Sequence, residues 1–441
     1  MTTAATLEPL LATSEAAAAP SPHLTVPLRV VTAAIAGNAL ELFDFLAYAF
    51  FAVYIGKAFF PAETPMASLL LSLAAFGAGF ATRPLGAILM GAYADRAGRR
   101  PALLISMGIV TLSTLGLALT PTYESIGVAA PIIVVACRLA QGLAYGGEFG
   151  PASAFLIEIA PKGRRGFFSS WQFASQGLAS VAAGLFGAAV VGLLSPAEVQ
   201  AWGWRLPFAF SLLMLPIAAL LRRSMPETAT HAPSGSQTKS ASAPKLRSHA
   251  RFLCLSVLLI VGGAVSTYVG SYMTTYSIVV LKLSPMAAMG SAVAAGLSTL
   301  VFSLLGGWLA DGFGRRPVML IPRVLSGLLA YPAFMLLIHL RSTVALLGVT
   351  AFLAALNALS NAAALVTILE HLPRSLRALG SSIAYAVGVA LFGGTTQFIV
   401  TWLIGATGDP AAPAWYIALS STIGACAMLA LPEGRDRVLD R

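Results

Sequence analysis

Charged side chains set inside long apolar stretches are where this sequence could do chemistry, because an Arg or Asp at a helix centre costs about 2.5 to 3.5 kcal/mol to place in a bilayer. The stretch GNALELFDFLAYAFF at 37–51 carries Asn38, Glu41, Asp44, Phe45 and Tyr48 at spacings of three and four, which is one face of a helix. Arg83, followed by Pro84, interrupts a neutral run. Further on, Arg138, Gln141, Tyr145 and Glu148 share a helical stripe about 80° wide. A guanidinium stays protonated and grips a carboxylate through two parallel hydrogen bonds. Glu41, Asp44 and Glu148 can take up protons, and Asp44, nearest the middle of its span, ranks first. Converging on one cavity, these groups would bind a small anion together with protons. The plainer alternative is a set of ion pairs that ties helices together.

Other chemistries lack their residues. His23, His231, His249, His339 and His371 all fall in tails, loops or helix ends, so no imidazole relay crosses the apolar stretches and carboxylates must carry any proton. There is no phosphate-cradling GxxxxGKS, no GxSxG nucleophile turn and no metal-ligand cluster. Cys137, Cys254 and Cys426 are far apart, which excludes a CxxC site or disulfide framework and leaves them as packing residues. No metal or cofactor is expected.

The elements that position these residues follow from composition. Of 441 residues, 57% are hydrophobic and 10% charged, with a mean hydropathy of +0.82; a soluble domain is about 25% charged. Apolar stretches of spanning length recur near 30–56, 67–92, 102–120, 127–154, 168–194 and 203–222, then 252–281, 286–310, 317–338, 343–369, 378–404 and 412–432. That predicts an all-α membrane protein with twelve transmembrane helices. With both termini cytoplasmic, 20 Lys and Arg residues fall in cytoplasmic segments, and Lys57, Lys282 and Arg341 alone lie outside. The positive-inside rule sets this orientation and accounts for the net charge of +10 without nucleic-acid binding. Residues 1–28 lack the basic start and apolar core of a secretory signal and read as a cytoplasmic tail. A Ser-, Pro- and Ala-rich linker at 223–251 separates a six-helix bundle at 29–222 from another at 252–432, and 433–441 form a second cytoplasmic tail.

The halves repeat. GAYADRAGRR at 91–100 recurs within GGWLADGFGRR, Asp95 matching Asp311 at an offset of 216. EIAPKGRRGFFSS at 158–170 recurs as EHLPRSLRALGSS, Glu158 and Arg165 falling on Glu370 and Arg377 at an offset of 212. Two blocks in the same order make a duplicated unit, the arrangement in which a site lies between pseudo-symmetric halves. Asp95, Arg96, Arg99 and Arg100, with Asp311, Arg315 and Arg316, are therefore gating candidates, as are Glu158, Arg165, Glu370 and Arg377. Gly312 stands where the first copy has Arg96, so the second turn is expected to make the weaker tie.

The repeated turn resembles the cytoplasmic loop signature of the major facilitator superfamily, and the resemblance covers all twelve helices. RLAQG at 138–142, GNALELFDF, IGKAFFP, FGAGFATRPLGA, GGEFG, APKGRRGFFSSWQ and WGWRLPF together resemble the metabolite:proton symporter family. SSWQFASQGLA at 169–179, SMPET at 224–228 and LFGGTTQ at 391–397 look most like its citrate-proton symporters and their tricarballylate-transporting relatives. The seventh helix departs from the family in having Thr274 where many members have proline.

The resemblance implies a secondary transporter of the bacterial inner membrane, importing citrate or a similar tricarboxylate with protons and working as a monomer. Arg83, Arg138, Gln141, Tyr145 and Gln172 would face the anion from the first half. The second half offers hydrogen bonding, with Tyr272, Asn357 and Asn361 as its strongest candidates and Arg323 near enough to the cytoplasmic end to snorkel. A dicarboxylate, an oxoacid or a zwitterionic osmolyte is the alternative cargo. A proton-driven exporter and a twelve-span enzyme or receptor are the remaining rivals.

Overall fold

A computed structural model describes residues 28–97, 99–213 and 249–431. The two expected tails and most of the linker lie outside these residues, as do the side chains of Glu41, Asp95, Arg99 and Arg100. Among the described residues nine helices are long and apolar enough to cross a membrane. Of the other expected spans, the first is bent by 66° between Asn38–Phe50 and Ala52–Phe59, the third holds a shorter apolar helix at Leu104–Leu119, and the sixth is described only over 206–213.

Several helix starts are local chemistry. Thr64, Ser284 and Ser342 each accept a hydrogen bond from the backbone N–H three residues on, at 3.1, 3.2 and 3.2 Å, and Pro65 and Pro285 occupy first helical positions whose N–H needs no partner. The second span breaks at Thr82, between Pro65–Ala81 and Arg83–Ala97, and the fourth at Gly147–Glu148, between Ala129–Gly146 and Phe149–Glu158. The eleventh passes through a π-helical turn, Val389–Gly393.

Backbone contact between the second and fourth spans sets up the interior. A Cβ at Gly142 would run into the carbonyl of Gly79, and one at Gly146 into that of Arg83; small residues admit such an approach between membrane helices. Thr82 Oγ1 donates to Leu139 O at 2.7 Å across the same seam. The consequence is that Arg83 and Arg138 are brought side by side. Around them Phe45, Tyr48, Phe76, Phe80 and Tyr268 belong to one buried aromatic cluster drawn from both halves. Of the cysteines read as packing residues, Cys137 is half-buried, whereas Cys254 and Cys426 are exposed.

Candidate functional site

Asp44, Thr114, Gln141 and Arg138 form one hydrogen-bonded chain across the first, third and fourth spans. Gln141 Nε2 donates to Asp44 Oδ2 at 2.6 Å, Thr114 Oγ1 donates to the same oxygen at 3.1 Å, and Arg138 Nη1 donates to Gln141 Oε1 at 2.6 Å. All four side chains are buried. Asp44 Oδ1 and the Nε and Nη2 of Arg138 have no hydrogen-bond partner among the described residues. The amide of Gln141 is thus a relay between a carboxylate and a guanidinium that do not pair directly. Thr114 carries no sequence signal beyond being one hydroxyl in a polar-speckled helix, and its role appears only once the helices are assembled.

The two arginines are caged by rings. The Arg138 guanidinium carbon lies 4.5 Å from the Tyr48 ring centre and 4.7 Å from that of Phe45. That of Arg83 lies 4.2 Å from Phe80, 4.8 Å from Phe45 and 5.8 Å from Tyr145. Such contacts hold a cation without neutralising it. Tyr268 from the opposite half packs edge-on against Phe80 of this cage, the ring centres 5.0 Å apart. No carboxylate among the described residues forms an ion pair with Arg83 or Arg138.

The second half places a buried guanidinium of its own beside the cavity-lining residues. Arg323, expected to snorkel, is fully buried: its Nη1 donates to Gly262 O at 2.8 Å, to Asn357 Oδ1 at 3.1 Å and to Ser266 Oγ at 3.4 Å, and Nη2 donates to Asn361 Oδ1 at 2.7 Å. The correction has a physical cause. Four oxygens on the seventh and tenth helices solvate the charge where it stands, so the side chain has no need to reach an interface. Two asparagines one turn apart in an apolar helix were the available sign that a buried donor faces them.

Between these networks lies a cavity of about 100 Å³ lined from both halves, by Phe45, Phe173 and Gln176 on one side and by Thr267, Tyr268, Ser271, Asn357 and Asn361 on the other. Arg83 and Arg138 stand one ring behind its wall, screened by Phe45 and Tyr268. Gln172 is buried but does not line the cavity, which Gln176, one turn on, does. Tyr272 also lies away from it, its ring packing 6.2 Å from that of Tyr276. Glu148 sits at the break in the fourth span.

At the end of the bundle that carries the Arg-rich turns, the halves are tied together. Asp311 accepts from the backbone N–H groups of Gly166 and Phe167, at 2.8 and 2.9 Å, in the first turn of the fifth helix, Arg165–Leu193; a carboxylate is favourable there because those N–H groups have no helical acceptor. Arg315 pairs with Asp311 at 3.1 Å and grips Glu370 with two bonds, at 2.9 and 3.2 Å. Arg377 reaches Glu158 in the other half at 3.2 Å. Arg316 caps Leu429 O at 2.8 Å, and Arg96 is exposed. The second turn, without a base at Gly312, makes its ties through Arg315.

Comparison with known proteins agrees with this architecture. The Major Facilitator Superfamily profile matches residues 33–394. The citrate-proton symporter of Klebsiella pneumoniae is 36% identical over 390 residues, 88% of each chain. The glycine betaine/proline/ectoine/pipecolic acid transporter OusA of Dickeya dadantii is 32% identical over 428 residues, 93% of this chain and 84% of that one. A partially occluded inward-open structure of the xylose transporter XylE from E. coli superimposes with a TM-score of 0.74 at 16% identity, covering 93% of this chain and 99% of XylE.

Proposed function

Because the chain belongs to the major facilitator superfamily, and so among transporters rather than enzymes, we propose that it imports a tricarboxylate, citrate or a close analogue, by proton symport. One observation carries the choice of cargo: three buried guanidinium groups, Arg83, Arg138 and Arg323, surround a cavity whose networks contain one described carboxylate, Asp44. Excess positive charge in a low-dielectric interior is costly, and an anionic substrate compensates it. The relative named for citrate supports the same choice, and the one named for betaine and proline marks the zwitterionic alternative.

The coupling runs through Gln141. Ionised, Asp44 draws the Gln141 amide to itself and its charge offsets that of Arg138. A proton arriving on Asp44 Oδ1, the oxygen with no partner among the described residues, cancels that charge and leaves Arg138 for a carboxylate of the substrate. Proton and anion each make the other's binding more favourable, which is the thermodynamic content of symport. Arg83 and Arg138 with Gln141 and Tyr145 hold the anion from the first half, Asn357 and Asn361 face it from the second, and Glu41 and Glu148 are secondary proton sites. The protein acts as a monomer in the bacterial inner membrane, both termini cytoplasmic, each half rocking about the cavity.

Labelled citrate uptake into proteoliposomes, with and without an inward acid gradient, tests the reading. Accumulation is expected only with the acid exterior, with competition by tricarboxylates. Uptake competed by betaine but not by citrate would overturn it.

The ties at the Arg-rich end act as the latch of the cycle, Asp95 with Arg96, Arg99 and Arg100 taking the corresponding part in the first half. Asp311→Asn keeps one acceptor for the fifth helix but loses the charge that holds Arg315 and the N-terminal amides. A charged hydrogen bond contributes about 1.5 to 3 kcal/mol, so turnover is expected to change about tenfold while citrate affinity stays within about twofold. Equilibrium binding beside initial transport rates separates the two, and unchanged turnover with much poorer affinity would contradict the latch.

A further inference from the structure

Arg323 dictates which way two cavity-lining amides face. Arginine has donors and no acceptor, so Asn357 and Asn361 must turn Oδ1 toward it, as they do at 3.1 and 2.7 Å, and direct Nδ2 elsewhere. The Asn357 amide nitrogen donates to Thr267 Oγ1 at 2.9 Å, and Thr267 in turn donates to Gly263 O at 2.9 Å. No acceptor among the described residues takes the Asn361 nitrogen. Asn361 lies where the central cavity meets a second one that continues past Phe149, Ser381 and Tyr385. That wall therefore presents a donor whose companion acceptor is already occupied, in front of a guanidinium that no described carboxylate neutralises.

We propose that Asn361, oriented by Arg323, is a donor contact for a carboxylate of the transported polyanion, and that Arg323 is the positioning residue that makes this wall selective against cationic end groups. A carboxylate accepts what Asn361 offers and is drawn by the charge behind it. A quaternary or secondary ammonium end finds no acceptor and meets repulsion. The inference rests on the polycarboxylate reading above and adds how the second half tells such a cargo from a zwitterion.

The isosteric change Asn361→Asp tests it on the full-length protein. One oxygen still accepts from Arg323, so packing and stability are retained, but the other replaces the donor by an acceptor of like charge to the substrate. Close like charges cost several kcal/mol, and the expected result is a fall in citrate affinity of about a hundredfold or more at unchanged melting temperature. Arg323→Lys keeps the charge and loses the two-pronged hold on both amides. It is expected to raise the KM for citrate about tenfold while leaving the maximal counterflow rate near that of the parent, a split that general loosening of the helices would not produce. Citrate binding within about threefold of the parent in either correctly folded variant overturns the inference and leaves the transport reading standing. A parent protein that binds no tricarboxylate overturns both.

Discussion

Arg83→Ala is expected to abolish detectable carboxylate binding while leaving a folded, inserted protein. The guanidinium lies 4.2 Å from the Phe80 ring and 4.8 Å from that of Phe45, which lines the cavity and screens it from the first-half network. Removing one member of a buried charge pair costs about 2 to 5 kcal/mol, or roughly 30-fold to several thousandfold in affinity. Arg138→Ala is expected to act similarly, with the added consequence that the Gln141 amide oxygen loses its donor. Lys should restore little at either position, because an ammonium cannot reproduce the planar fork or its stacking against rings. Isothermal titration with citrate on detergent-purified variants, beside their elution profile and melting curve, gives the answer. If both alanine variants bound citrate at near-parental affinity, the anion clamp would be misassigned.

Asp44→Asn is expected to separate exchange from accumulation. Its amide oxygen can still accept from Gln141 and Thr114, which bond Oδ2 at 2.6 and 3.1 Å, so the relay stays assembled. The site is then neutral at every pH, as though always protonated, and Arg138 remains available to the anion. Citrate counterflow should persist at a rate within about threefold of the parent, whereas uptake driven by an acid exterior should lose its dependence on the gradient, since no proton leaves on the return step. Counterflow and gradient-driven uptake measured in the same vesicles decide the matter. Full pH-driven accumulation by Asp44→Asn, or an uncoupled pattern confined to Glu41→Gln or Glu148→Gln, would move the proton site elsewhere.

Much of the architecture was legible in the chain because the bilayer imposes a one-dimensional rule. A spanning helix must be about 20 apolar residues long, so span count and order follow from hydropathy, and Thr64, Ser284 and Ser342 mark helix starts through hydrogen bonds three residues away. The duplicated turns were equally visible, and so was the outlying charge of Asp44, Arg83 and Arg138, since an ionisable group in an apolar run stands out by its own cost. Helical spacing also placed Gln141 on the face of Arg138, where the structure finds it bonded.

What one helix contributes to another could not be read in this way. Nothing local distinguishes Thr114 from the hydroxyls around it until Asp44, 70 residues away, comes within 3.1 Å. Arg323 looks, along its own helix, like a residue close enough to an end to reach water. Its burial is decided by oxygens on the seventh and tenth helices that replace water around the charge. Gln172 and Gln176 are equivalent by type, and the rotation of the fifth helix puts the second against the cavity. Sequence alone determined which residues are too costly to be accidental in a membrane; the packing of helices distant in the chain decided which of them share hydrogen bonds, because desolvated charges are stabilised by whatever dipoles the assembled fold brings within 3 Å or so of them.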